Sequence, residues 1–293
     1  MEKEKTQIGN SYQEIVNYQT NTTIRIWNNN TSNYYPVHWH SALEIVIPME
    51  NYYIIDVNDQ HFNLMPGEIL FIPSGELHAL TAPNTGSRYI FMFDISVLST
   101  IKSFTGIQSL LVQPIHLTPD TYPAIYDDIY SILMKIQAEY SAGREYAELT
   151  IYSLLIELFV TLGYDYLYGQ ELFPNVRLST QKEYIRKFHQ LLAYIDEHYM
   201  EELDLDKLSE SVDFSKFHFL RLFKQYMGVT FGDYVTHRRI KAAEQLLCNQ
   251  SLPIAEVATL SGFSSISTFN RIFKQYKKCS PSEYRQHNTF PEH

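Results

Sequence analysis

The chain has 293 residues, 45% of them hydrophobic and 19% charged, with a formal net charge of −10. That length suggests about two domains, and the composition is globular, not disordered. The two cysteines, Cys248 and Cys279, form no disulfide framework; no run approaches the roughly 20 uninterrupted apolar residues of a membrane helix; and the opening Met-Glu-Lys-Glu-Lys resembles no secretory signal. The expectation is a cytoplasmic protein with no membrane partner.

The charge is unevenly spread. Residues 1–180 carry 8 Lys+Arg against 19 Asp+Glu, a balance of −11, whereas residues 181–293 carry 15 against 14. Between Phe214 and Lys241 there are six basic residues and one acid, Asp233. A local basic surface therefore exists in an acidic chain.

In chain order, residues 1–20 read as a loose polar segment. Short β-branched and aromatic runs follow: Ile24–Trp27, Leu43–Pro48, Tyr52–Val57, His61–Met65, Ile69–Ile72 and Arg88–Phe93. Asn58-Asp59 has the character of a hairpin turn. Strands this closely spaced predict a β-barrel or sandwich. Beyond Pro119, Ile125, Ile129, Ile132, Leu133 and Ile136 recur at helical spacing, and a second helix is predicted over 144–162. Its wide apolar face could cover the barrel or form a dimer seam. From Gly163 to Thr180 the sequence reads as a linker, and the remainder is helical. The predicted organisation is α+β and multidomain: a barrel over 1–118, a helical packing or dimerisation segment over 119–163, a linker over 164–181 and an all-α domain over 182–293.

The all-α part says the same thing twice. Arg221-Leu222-Phe223-Lys224-Gln225-Tyr226 returns as Arg271-Ile272-Phe273-Lys274-Gln275-Tyr276, and Tyr234 returns as Tyr284. Upstream, Leu205, Leu208 and Phe214-Ser215 match Ile254, Val257 and Phe263-Ser264. Each copy reads helix, tight turn, helix. Asp213 and Gly262 suit a positive-φ turn, and Ser215 and Ser264 suit N-caps. In the second helices, Phe219, Leu222, Phe223 and Tyr226, and likewise Phe269, Ile272, Phe273 and Tyr276, form apolar stripes.

The opposite faces are candidates for a major groove. In the first copy these are Ser215, Lys216, Phe217, Leu220, Arg221 and Lys224. In the second they are Ser265, Ile266, Ser267, Thr268, Asn270, Arg271 and Lys274. Arg221 and Arg271 are suited to bidentate guanine contacts, Phe217, Leu220 and Ile266 to thymine methyls, and Lys224, Lys274, Arg238 and Arg239 to phosphates. Between the copies, Thr230–Cys248 reads as one helix of about 25–30 Å, long enough to set the copies near one DNA turn apart. Ser280-Pro281-Ser282-Glu283 is a capping box opening the last helix.

These residues closely resemble the DNA-binding domain of the AraC/XylS family of bacterial transcription regulators over about Lys182–Gln286. The resemblance is carried by Ile254-Ala255-Glu256-Val257-Ala258, Ser261-Gly262-Phe263-Ser264, Phe269-Asn270-Arg271-Ile272-Phe273-Lys274 and Ser280-Pro281-Ser282-Glu283-Tyr284-Arg285. It implies promoter binding, most often as an activator that works with RNA polymerase. Lys278 departs from the Gly usual in the family, which the first copy keeps as Gly228.

In the first part, His38-Trp39-His40-Ser41-Ala42-Leu43-Glu44 places His38, His40 and Glu44 at even positions, which on a strand would face one side, with Trp39, of opposite parity, outside the pocket. With Gly67-Glu68 through Leu77-His78, this block resembles the two motifs of cupin barrels. Asn51 and Ala82 stand where Gly and Asn are usual. In metal cupins the equivalents of His38, His40, Glu44 and His78 bind one divalent ion. The resemblance to AraC-type sensors instead implies a small effector, with no cofactor required. The expected pocket is lined by Arg25, Trp27, His38, His40, Glu44 and His78, and suits a sugar or another polar metabolite. The leading reading is a dimeric, effector-responsive regulator that binds double-stranded promoter DNA. The rival is a metal-dependent cupin enzyme fused to a DNA-binding domain.

Overall fold

A computed structural model describes residues 14–32, 34–101, 104, 107, 111–165 and 178–287. They form two compact units that divide near residue 171.

The first unit contains nine strands: β1 (Ile24–Asn29), β2 (Tyr34–His38), β3 (Leu43–Pro48), β4 (Tyr53–Val57), β5 (Gln60–Leu64), β6 (Ile69–Ile72), β7 (His78–Thr81), β8 (Arg88–Phe93) and β9 (Ile115–Leu117). Two antiparallel sheets result, ordered β1-β8-β3-β6-β9 and β2-β7-β4-β5. All six residues of β3 are buried, because each face of its sheet has a cover. Val46, Leu70 and Ile72 meet Tyr53, Ile55, Val57, Leu64 and Leu80 of the opposing sheet. On the other side, Leu43, Ile45, Phe71, Phe91 and Phe93 meet helices α1 (Tyr126–Ala142) and α2 (Ala147–Tyr164). Period-2 alternation thus places one set of side chains between the sheets and the other under the helices.

The two helices cover the β-unit and belong to it. Helix α2 is long and apolar enough, by length and composition, to cross a membrane. Glu148 and Glu157 interrupt it, and Ile151, Leu155, Leu158, Phe159 and Leu162 are buried in the core.

Six strands sit within two residues of their expected places. The structure adds β2, β7 and β9. Pro36 hides β2 from a propensity reading; it lies at a bulge where the pairing register to β7 shifts. Strand pairing puts Val57 opposite Gln60, so Asn58-Asp59 is a two-residue hairpin with Asn58 at φ 51°. Asn51 stands at φ 66°, in the region asparagine tolerates better than most residues. Gly163 and Tyr164 end α2, and Leu178–Thr180 already belong to α3. The rest of the expected linker, 166–177, lies outside the described residues.

The second unit holds α3 (Leu178–His198), α4 (Leu205–Ser211), α5 (Lys216–Met227), α6 (Phe231–Leu247), α7 (Ile254–Leu260), α8 (Ile266–Lys277) and α9 (Pro281–His287). The two copies match bond for bond at their turns. Phe214 N donates to Ser209 O, and Phe263 N donates to Ala258 O, each at 2.9 Å. Asp213 and Gly262 have φ 57° and 86°. The first helices are offset by 49 positions and the second by 50, so the second copy carries one extra residue. Ser265, not the expected Ser264, therefore caps α8, accepting from Thr268 N, while Ser215 caps α5 as expected. Phe219, Leu222, Phe223, Tyr226, Phe269 and Phe273 are buried; Ile272 and Tyr276, expected inside, are only half-buried. The final capping box forms, with Ser280 N donating to Glu283 Oε2 at 2.7 Å and Glu283 N to Ser280 Oγ at 3.2 Å.

Lys278 ends α8 at φ 58°, taking the left-handed cap that Gly228 takes at φ 72° after α5. The departure from glycine leaves the cap geometry intact and puts a side chain where it is disfavoured. Gly262 cannot accept one: a Cβ there would lie 2.8 Å from Tyr199 O and from Met200 Cα, and 2.9 Å from Arg239 Nε. Lys278→Gly is therefore expected to stabilise the protein by about 0.5–1 kcal/mol, and Gly262→Ala to destabilise it by about 2 kcal/mol or more. Urea unfolding followed by far-UV circular dichroism measures both, since Trp27 and Trp39 lie in the first unit. Changes of equal sign in the two variants would contradict these assignments.

Candidate effector site and DNA interface

His38, His40, Glu44 and His78 converge. Their ligating atoms all lie within 4.8 Å of one another, and each side chain is about 1% exposed. The expected route was one strand with all even positions on one side. The structure uses a corner instead: His38 ends β2 in the four-stranded sheet, the chain turns at Ser41-Ala42, and Glu44 lies on β3 in the other sheet. Gly75 N donates to His40 O at 2.7 Å and fastens the corner. His78 opens β7 opposite His38. Trp39 is buried within the fold.

Every ring nitrogen of the triad faces an acceptor. His38 Nδ1 lies 2.9 Å from Pro36 O, His40 Nδ1 3.1 Å from Ala42 O, and His78 Nδ1 2.8 Å from Glu76 O. Carbonyl oxygens only accept, so each Nδ1 carries the proton. On the far side, His40 Nε2 and His78 Nε2 lie 2.9 and 3.1 Å from Glu44 Oε2, and His38 Nε2 lies 3.2 Å from Glu14 Oε2. A neutral imidazole has one proton, so His40 and His78 donate to Glu44 as well as to their carbonyls only as imidazolium. Burial alone would raise the Glu44 carboxyl, but the contacts from His40 and His78 outweigh it and hold it well below the usual carboxylate range. The cluster is thus a buried set of three imidazoles converging on one ionised carboxylate. That donor set fits a cation, and three imidazoles with a carboxylate suit first-row divalent metals.

Arg25 and Trp27 share this face of the five-stranded sheet but stand apart from the cluster. Strand pairing runs Arg25 to Met92 to Glu44, so Arg25 is two strand spacings, about 10 Å, from Glu44. Its guanidinium stacks 4.6 Å over the Trp27 ring, with both side chains half-buried. Sequence reasoning missed Glu14, Tyr53 and Arg88. Arg88 is 3% exposed, stacks 4.4 Å over Tyr53, and donates from Nη2 to Asn29 Oδ1 and Thr31 O. Its Nε has no hydrogen-bond partner among the described residues.

The second unit leaves most of the groove candidates on its surface. Phe217 is 86% exposed, and Arg221, Lys224, Ser215, Ser265, Ile266, Ser267, Asn270, Arg271 and Lys274 are exposed. Leu220 and Thr268 are half-buried. Among the described residues, Arg221, Arg271, Lys224 and Lys274 have no acidic partner, whereas Lys216 pairs with Asp206 at 3.1 Å. Arg238 and Arg239, expected on phosphates, are occupied inside the unit. Arg238 Nε donates to Asp196 Oδ1 at 2.8 Å with its guanidinium over Tyr199. Arg239 donates to Tyr199 O at 2.7 Å and Glu201 O at 2.8 Å.

Comparison with known proteins agrees with both halves. The family described as AraC-like ligand binding domain matches residues 22–155, and a helix-turn-helix domain family matches 208–287. The probable transcription factor PqrA of Proteus vulgaris is 36% identical over 92 residues, 31% of this chain and 75% of PqrA. The chain belongs to the AraC/XylS family. The uncharacterized HTH-type regulator YdeC of Bacillus subtilis is 25% identical and aligns over 89% of this chain and 90% of its own length. Regulatory protein PocR of Salmonella typhimurium is 37% identical over 100 residues, 34% of this chain, and the match spans only a third of PocR. As an AraC-family transcription regulator, the chain joins a ligand-binding domain to a DNA-binding domain.

Proposed function

We propose that this chain is a dimeric, ligand-responsive activator of metabolic genes. It reads promoter DNA with α5 and α8, and a small polar effector in the β-unit controls that reading. One observation supports it most: two matched helices bury their aromatic faces and expose Arg221 and Arg271 free of acidic partners among the described residues. A guanidinium held this way keeps its fork for guanine O6 and N7. The effector class favoured is a sugar or similar metabolite, seated by the Arg25–Trp27 pair, where an aromatic face and a cation lie together. It regulates by binding one conformational state more tightly than the other.

Arg271→Ala is expected to weaken binding to DNA selected from a random duplex library by about 1–3 kcal/mol and to relax base preference at one position. Unchanged affinity and unchanged preference in a repeat selection would remove Arg271 from the reading face.

The dimer reading rests on α2. Opposite its buried face, Leu149 (70% exposed), Ile156, Val160 and Tyr164 form one stripe at spacings of seven, four and four. The double variant Leu149→Glu/Ile156→Glu is expected to sediment as a monomer at concentrations where the parent sediments as a dimer. Identical sedimentation of the two proteins would refute the seam.

A further inference from the structure

We infer that the effector of the β-unit is a sugar acid, with its carboxylate seated at Arg88 and its ring against Trp27. The inference rests on reading that unit as the ligand-sensing half of the regulator, and it narrows the effector from a polar metabolite to an organic anion.

Arg88 is a buried charge without a counter-charge. It is 3% exposed, and a guanidinium stays protonated at any ordinary pH. Burial pulls its pKa down, and the group that opposes this is the Tyr53 phenol, not a carboxylate. Nη2 donates to two neutral acceptors, Asn29 Oδ1 at 3.1 Å and Thr31 O, while Nε has no acceptor among the described residues. Buried charges are ordinarily paired, because neutral acceptors only partly offset the lost hydration. Glu44, on the same face, does not fill this role. Pro48 stands opposite Arg88, and Glu44 lies four residues back along β3, roughly 14 Å from Arg88 by strand geometry. Its Oε2 is already taken by His40 and His78. The missing partner is an anion that the β-unit itself does not supply.

The surroundings select its class. Arg88 crosses the gap between the sheets and stacks 4.4 Å over Tyr53 of the opposing sheet. Burial pushes the Tyr53 phenol up, so it stays neutral and keeps a proton to donate. A carboxylate at Nε would meet a charged donor there, with the phenol as a neighbour. Val46, Leu70 and Ile72 share the gap with Tyr53. One guanidinium among apolar walls balances one negative charge and leaves a polyphosphate uncompensated. On β1, Asn29 pairs with Arg88 and Trp27 with Ile90, which makes Trp27 the diagonal neighbour of Arg88 on one face, about 7–8 Å away. A hexose ring with an exocyclic carboxylate has that reach. An aromatic face for the ring and a fork for the acid are the two contacts such a molecule needs.

The test uses the full chain, with D-glucuronate and D-galacturonate as probes against neutral D-glucose and D-galactose. Thermal shift and the fluorescence of Trp27 and Trp39 report binding. In the parent, one of the acids is expected to bind about 30-fold or more tightly than the neutral sugar of the same ring. Arg88→Gln should remove that preference, and Arg88→Lys, which keeps the charge and loses the fork, should retain part of it. The comparison of acid with neutral sugar is made on the parent, so it stands even where Arg88→Gln does not fold. Neutral sugars that bind as tightly as the acids would overturn the charged effector and leave the sensor reading intact. An acid preference kept in Arg88→Gln and lost in Arg25→Gln would overturn the role of Arg88. Failure of both acids to bind at millimolar concentration would overturn the sugar-acid assignment. DNA binding, measured separately on the same preparations, reports on the regulator reading independently of these results.

Discussion

The separation of the two recognition helices is fixed by α6, and whatever the second unit does to DNA depends on that. Near its start, Phe231 meets Phe219 and Phe223 of α5, with ring centroids 5.7 and 5.4 Å apart, and Tyr234 meets Phe223 at 5.6 Å. Further along, His237 approaches Tyr276 of α8, and Glu244 pairs with Lys277, which is 3% exposed. One helix of 17 residues thus grips α5 at one end and α8 at the other. Aromatic packing and a largely buried ion pair resist sliding, because neither can shift by a turn without exposing apolar surface or orphaning a charge.

A second anchor lies on α3. Arg239, in the middle of α6, donates to the carbonyls of Tyr199 and Glu201 just after α3 ends, and Gly262 packs against the same loop. Those carbonyls follow a helix terminus, where backbone acceptors lack intrahelical partners. Two arginines that look like phosphate ligands in the sequence therefore brace the helix-turn-helix pair. Arg221 and Arg271 lie outside that bracing and are exposed.

Much of this was legible in the sequence, for identifiable reasons. The duplication showed both helix-turn-helix units because each copy repeats its own core aromatics and turn residues. Six strands were legible because they are β-branched and bounded by turns. Strand β2 was not, since Pro36 breaks its pattern and a bulge absorbs the irregularity. The cap of α8 was misplaced by one residue because the repeat offset changes from 49 to 50 inside the turn, a change that two adjacent serines conceal. The roles of Arg238 and Arg239 depend on the Asp196 carboxylate and on two backbone carbonyls some 40 residues away, and a sequence carries no mark of these contacts. The metal-type quartet was visible as residue types, but its convergence comes from a corner between sheets. Glu14 gave no signal at all, lying in a polar segment without periodicity.

The two halves share a physical logic. In each, polar side chains are held by backbone carbonyls: the Nδ1 atoms of His38, His40 and His78 in the β-unit, and the Arg239 guanidinium in the helical unit. The most direct test of the account is the binding of this chain to its selected DNA site after base pairs are inserted between the two contacted segments. Fixed recognition helices about one DNA turn apart predict that a half-turn insertion of about 5 bp abolishes specific binding, because it rotates one segment to the far side of the duplex. Full affinity after that insertion would contradict the rigid spacing on which the account rests.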